Sequence, residues 1–470
     1  MKTKYQTLVK NLGLFALSGF IPKAISFFLV PLYTSILSTS EYGIADLIST
    51  TVLLLIPLFT AQVQDAVLRF TLDKSYDNKT VFSVGIKTVC LGTVLVGGGC
   101  CLVCLSGLFP IEPEYLFFTG FTFAVMAFYN VLTLFCRGID RVGLVAVGSI
   151  IHSVLTLILN IVFLVVIRLG LTGYLMANSL GTLVSVLYIV AYGRLWHYFT
   201  FKTSWAIVGE MLKYSLPLIF SVIAWWVNSA SNRYVLTAMV GLSASGLYAI
   251  AYKIPSVLSI FGNVFSQAWS ISAIKEYDPK DSDGFFGKMF TFMSFGMVVT
   301  CSLVMIFNIP LASILYSNEF FDAWCYVPFL LVAVVFDILC QFIGGVFTAV
   351  KDTKVLAVTT ISGAFVNLIA CLSLVPLVGI IGAAISAVLG YAVVLILRLI
   401  MVRKHISMKV KWWKTVVIFS LLITQMTISV FGLESIKWQL IILLMIVLLN
   451  TESLNQIIRL ARKAIPVKWG

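Results

Sequence analysis

Seven ionisable side chains lie within or at the ends of long apolar runs: Lys23, Asp46, Asp65, Arg69, Arg233, Lys253 and Asp337. Three are deeply placed cations. Lys23 follows Pro22, Arg233 closes the polar run Asn228-Ser229-Ala230-Ser231-Asn232, and Lys253 stands two residues before Pro255. A charge at bilayer depth costs roughly 2.5–3.5 kcal/mol on insertion scales, so it should face a partner or a cavity. Converging cations in such surroundings would bind an anion such as a phosphate. Asp46 and Asp337, the latter with Gln341 one turn on, would serve as counter-ions or couple transport to an ion gradient. Asp65 and Arg69 have the i, i+4 register of a pair on one helix and join them as candidate counter-ions, although a purely structural bridge is the preferred reading for these two. Helix-orienting salt bridges are the alternative for all seven.

Other chemistry is absent from the sequence. There is no Walker A loop, no Gly-rich dinucleotide turn after a strand, no His-Glu-x-x-His and no Ser-His-Asp signature, so no catalytic residue, cofactor or ATP hydrolysis is expected. Cys101 and Cys104 form a C-x-x-C spacing with no nearby His or acid, and all nine cysteines fall in or beside apolar segments, which argues against metal binding and a disulfide framework. His152 reads as a satisfied core residue rather than a proton relay; His197 and His405 are too few to hold a metal.

The elements that must position these residues follow from composition. Of 470 residues, 60% are hydrophobic and 11% charged, with a mean hydropathy of +1.05. Soluble domains carry about 25% charged residues. Neither a soluble domain nor a disordered chain fits these values; a polytopic membrane protein does. A hydrocarbon core of about 30 Å needs about 20 apolar helical residues. The chain supplies fourteen such stretches, at 12–35, 43–67, 82–108, 115–136, 143–168, 173–193, 215–239, 246–271, 287–308, 326–349, 355–377, 380–401, 413–432 and 439–458. No ten-residue segments of alternating polarity suggest a β-barrel. The first run contains Lys23 and leads into further spans, so it reads as an uncleaved helix rather than a signal peptide.

The net charge of +13 resolves mainly into topology, not nucleic-acid binding. With the N-terminus inside, 24 of the 32 basic residues fall at the inner face, whereas the outer connections carry Glu41, Glu112, Glu114, Glu319 and Asp322. Both termini are therefore expected on the cytoplasmic side. Arg69, Lys87 and Arg398 lie near inner helix ends, from which they could snorkel. The sequon Asn78-Lys79-Thr80 falls in an inner loop and is discounted.

The sequence also repeats. Gly170-Leu171-Thr172-Gly173 and Leu180-Gly181 recur 209 residues on as Gly379-Ile380-Ile381-Gly382 and Leu389-Gly390; Leu37-Ser38-Thr39-Ser40 recurs 205 on as Leu242-Ser243-Ala244-Ser245. Such a period covers six spans, an even number, which implies parallel repeats about an axis along the membrane normal. The expected architecture is all-α, with two six-helix lobes around a central cleft. Residues 1–195 would form the first lobe, 196–213 a linker on the inner surface, and 214–402 the second lobe. Residues 403–470 would add a basic loop, two further helices and a cytoplasmic tail.

The segment from Asn11 to Phe70, with its Leu-Ser-x-x-Glu-Tyr-Gly-Ile turn at Leu37–Ile44 and its Arg69-Phe70 ending, resembles the opening of bacterial polysaccharide-repeat-unit flippases. These belong to the multidrug/oligosaccharidyl-lipid/polysaccharide exporter superfamily. The later Asn367–Ser386 stretch fits the same family more weakly. The resemblance implies two six-helix lobes, alternating access and an undecaprenyl-diphosphate-linked oligosaccharide as substrate. By similarity to peptidoglycan-precursor flippases, Lys23 matches a basic residue of the first helix and Asp46 an acid early in the second. The final two helices look like a groove for the lipid tail. Polysaccharide polymerase and glycosyltransferases of the same pathway are the protein partners to consider, and a monomer is the expected state. A drug or cation exporter of the same fold would require an acidic, apolar cleft. An intramembrane polymerase or glycosyltransferase would require larger outer loops with clustered acids, His or Arg.

Overall fold

The computed structural model describes residues 22–73, 75–107, 111–202, 204–350, 352–431 and 435–451. Among them the regular structure is helical throughout. Residues 22–28 form a helical stretch. It is followed by α1 (Val30–Ile36), α2 (Thr39–Phe59), α3 (Val63–Leu72), α4 (Asn78–Ser106), α5 (Pro113–Gly138), α6 (Val142–Asn160) and α7 (Gly170–Gly193). Then come α8 (Trp205–Met239), α9 (Leu242–Ala251), α10 (Lys253–Lys275), α11 (Phe285–Ile306), α12 (Asn308–Leu315) and α13 (Val327–Ala349). The last are α14 (Thr353–Val378), α15 (Ile380–Val402), α16 (Trp412–Phe431) and α17 (Ser435–Leu449). In hydrocarbon the backbone must satisfy its own hydrogen bonds, and a helix does so within one segment.

Eleven described helices are long and apolar enough to cross a membrane, or twelve if the bent pair α9–α10 is one span. The expected fourteen are thus not reached among the described residues. Residues 12–21 of the anticipated 12–35 span and 452–458 of 439–458 lie outside the described residues. The bend in the eighth anticipated span, 42°, has a local cause. Pro255 has no N–H to give the Ala251 carbonyl, and its ring crowds that oxygen, so the helix breaks at Tyr252. The second span breaks as well: past Pro57, Ala61 and Gln62 take left-handed backbone between α2 and α3. Of the linker expected at 196–213, Leu195–Tyr198 form a 3₁₀ turn and 205–213 are the opening turns of α8, a single helix of 35 residues.

The chain divides into two compact units. One is Met1–Tyr234 with Gly241–Gly246; the other is Val235–Val240 with Leu247–Gly470. In the first, α3, α4, α5 and α7 enclose Val67, Phe82, Phe123, Leu132 and Phe135, all buried. Here too the repeated Leu-Ser-x-Ser segments meet. Ser38 caps α2 in a reciprocal box with Glu41, while the Thr39 and Ser243 hydroxyls lie 2.7 Å apart. The contact is as close as backbones allow, because a Cβ at Gly43 would overlap the Leu242 carbonyl and one at Gly246 the Thr39 carbonyl. In the second unit α13 is the central helix. Its Leu330, Val332, Val335, Leu339, Ile343 and Val346 are fully buried. Trp269 of α10 stacks on Phe342 at 4.1 Å and donates Nε1–H to the Phe342 carbonyl at 2.7 Å. Gly345 leaves room for that indole.

Gly246→Ala is expected to destabilise the protein by about 1–3 kcal/mol, as overpacking does, despite the better helix propensity of Ala. Gly97→Ala, at a site with nothing within 4 Å, should be neutral or stabilise by up to about 1 kcal/mol. Thermal unfolding in detergent distinguishes the two; equal melting temperatures would show that the α2–α9 contact does not constrain the fold.

Candidate functional site

Within the first unit, Asp46 and Arg233 come together. Asp46 sits two turns into α2, and Arg233 lies six residues from the end of α8. The Arg233 Nε and the Asp46 Oδ2 form an ion pair, with the two side chains 13% and 20% exposed. Arg233 Nη1 also donates to the Ser229 carbonyl of its own helix at 2.8 Å. The pair belongs to a polar seam. Trp226 Nε1 donates to the Thr50 carbonyl at 2.8 Å, and the Thr51 and Tyr234 hydroxyls are 2.6 Å apart. Thr50 follows Asp46 by four residues and Arg233 follows Trp226 by seven, so each set shares one face of its helix.

Lys23 lies in the same unit and is exposed, in the helical stretch that opens the described chain. Its neighbours Pro22, Ile25 and Ser26 line a cavity of about 160 Å³ with Tyr33, His152 and Asn178. The cavity is roomy enough for ordered water. His152 Nδ1 has no hydrogen-bond partner among the described residues.

The anticipated Asp65–Arg69 pair is not formed. Asp65 accepts from Gln62 Nε2 at 3.0 Å. Arg69 turns to Asp73 at 3.8 Å across an open, solvated site, with the two side chains 56% and 38% exposed. Such exposed pairs contribute little, about 0–1 kcal/mol. Hydrogen bonds from the Ser75 hydroxyl and N–H hold the Asp73 carboxyl below the usual carboxylate range.

Lys253 belongs to the second unit. It opens α10 at the break, half-buried, and forms no ion pair with a described residue. Asp337, on α13, accepts from Gln341 Nε2 at 3.0 Å. Arg398 was expected to snorkel from its helix end; instead it is buried, 8% exposed. Its Nη1 donates to the Cys340 carbonyl at 2.6 Å, Nε to the Thr359 hydroxyl at 3.1 Å and Nη2 to the Thr360 hydroxyl at 3.0 Å. Arg398 therefore ties α15 to α13 and α14, within electrostatic reach of Asp337. Its proximity to a helix end hid this role. The adjacent threonines 38–39 residues upstream were the available signal.

The profile of the family described as "Polysaccharide biosynthesis protein" matches residues 8–278, more than half of the chain. The chain belongs to that family. Among solved structures, the lipid II flippase MurJ in an inward closed conformation is similar at a TM-score of 0.68 and 12% identity, covering 93% of this chain and 98% of that one. An inward-facing multidrug resistance MATE family transporter of the MOP superfamily is similar at 0.63 and 14% identity, covering 86% and 96%. An outward-facing MATE structure gives 0.57 at 14% identity, covering 87% and 96%. These likenesses establish the fold. A sequence comparison with curated proteins finds no match.

A double-mutant cycle on Asp46→Asn and Arg233→Gln should give a coupling energy of about 1–3 kcal/mol in thermal stability. Each single change strands a half-buried charge that the double change removes. Strictly additive losses would show that the ion pair adds nothing to the fold.

Proposed function

We propose that this chain is a flippase of a bacterial plasma membrane. It moves undecaprenyl-diphosphate-linked oligosaccharide from the inner to the outer leaflet for surface polysaccharide synthesis. Membership of the polysaccharide biosynthesis family and a fold shared with a lipid II flippase support this reading. The observation that carries it is the set of cations within the spans. Arg233 is held at depth by a carboxylate, and Lys23 and Lys253 carry none among the described residues. A diphosphate supplies the anionic oxygens that these groups lack. Arg233 can exchange Asp46 for a phosphate oxygen, since a guanidinium pairs with either. The two-lobed architecture expected from the repeat would take the sugars into a polar cleft and leave the polyprenyl tail in lipid. Lobe rocking would then expose the diphosphate outside, with both chain termini remaining in the cytoplasm. Asp46 and Asp337 are the groups through which an ion gradient would act. A cation exporter of the same fold is disfavoured, because lysines without an acidic partner among the described residues repel its cargo.

Lys23→Ala, Arg233→Ala and Lys253→Ala should each reduce surface polysaccharide about tenfold or more at unchanged membrane abundance. Hydrogen bonds to charged groups contribute about 1.5–3 kcal/mol each. Lys23→Arg should retain most of the activity. Normal polysaccharide in all three alanine variants would refute the cationic site.

A further inference from the structure

A second basic feature lies wholly within the second unit. Four lysines, Lys288, Lys409, Lys411 and Lys414, line one cavity of about 240 Å³. It lies where the start of α11, the start of α16 and the end of α17 meet, and none of its described lining residues is acidic. The nearby loop acids are already engaged. Asp281 accepts from the backbone N–H groups of Phe286, Gly287 and Lys409, and Asp278 from those of Lys280 and Ser282.

Ammonium groups here reach backbone carbonyls: Lys288 that of Asp283, Lys409 that of Ser282, and Lys414 that of Leu449 at the end of α17. Each has three donors, so donors remain beyond these bonds. On the cavity wall Ser294 is 1% exposed, and its hydroxyl has no hydrogen-bond partner among the described residues. A buried hydroxyl is seldom left so, because desolvating it without a partner costs about 1–3 kcal/mol. Thr291 and Thr415 add hydroxyls to the same wall.

The local cation–aromatic pairs are of the kind found at membrane interfaces. Arg403 lies over the Trp412 ring at 5.7 Å and Lys414 over Trp413 at 5.8 Å, in the manner of an aromatic belt. Val416 and Leu448 are exposed beside the cavity and offer apolar surface for acyl chains.

We infer that this cavity binds a phosphoryl anion, presented as the headgroup of an anionic phospholipid of the inner leaflet. The lysines and the Ser294 hydroxyl donate to the phosphate oxygens, while the acyl chains follow α16 and α17. The ligand joins two helix starts to one helix end and so fixes the last helical pair against α11.

The test uses the full-length protein in neutral detergent, with melting followed as phosphatidylglycerol, phosphatidylcholine or sodium phosphate is added at constant ionic strength. Native mass spectrometry gives apparent lipid affinities in parallel. Phosphatidylglycerol is expected to raise the melting temperature and phosphatidylcholine to leave it unchanged. Removing a lysine near an anionic headgroup should weaken binding about fivefold, so Lys411→Gln with Lys414→Gln should weaken it about 25-fold. The corresponding double Arg variant should bind nearly as well as the parent. Ser294→Ala, which disturbs no observed hydrogen bond, should weaken phosphatidylglycerol binding severalfold, and serves if the Gln pair does not fold. Equal responses to the two lipids, or unchanged phosphatidylglycerol affinity in the variants, would overturn the assignment. A response to inorganic phosphate but not to phosphatidylglycerol would retain the phosphoryl chemistry and overturn the lipid source.

Discussion

Hydrocarbon does not solvate charge, and the polar interior of this protein is organised around that constraint. Asp46 and Arg233 are tolerated at span depth because each supplies the other's counter-charge, and the Ser229 carbonyl takes a further guanidinium donor. The seam around them, Thr50 with Trp226 and Thr51 with Tyr234, extends the same solution to neutral groups. Arg398 meets the constraint differently. It spends its donors on one carbonyl and two hydroxyls from neighbouring helices and thereby ties three helices together.

Backbone hydrogen bonding imposes a parallel discipline, and the chain departs from straight helices at defined places. Pro255 bends α9 against α10, and Ala61 and Gln62 separate α2 from α3 with left-handed turns. Lys253 stands directly beside the first of these breaks. At such a position helical geometry already lapses, and a charged side chain can reach polar surroundings without a straight apolar helix on either side. Close packing works in the opposite sense. Gly43 and Gly246 allow two helix starts to approach to backbone contact, where no side chain could fit.

The fold was largely legible in advance because membrane helices obey a one-dimensional rule. An uninterrupted apolar run must become a helix, and most anticipated spans coincide with observed ones to within a few residues. The charged residues were harder to read. Asp46 and Arg233 are 187 residues apart, and nothing local marks them as partners. Asp65 and Arg69 carried a perfect local signal, yet they do not pair, because Gln62 and Asp73 compete for them. His152 looked like an inert core residue; the cavity beside it combines Ser153 and Thr156 of its own helix with residues of distant segments such as Tyr33 and Asn178.

Composition, hydropathy and the inner-face bias of Lys and Arg were sufficient for the all-helical membrane architecture, since each depends on the chain's partition between water and lipid. The opening helices also carried enough of a motif to indicate the polysaccharide biosynthesis family. Only the tertiary structure decided which charges neutralise one another, which threonines receive Arg398, and that four lysines, one from the start of α11 and three from the segment that leads into and opens α16, line a single cavity. Electrostatics falls off with distance in space, and in a helical membrane protein spatial neighbours come from segments far apart in sequence.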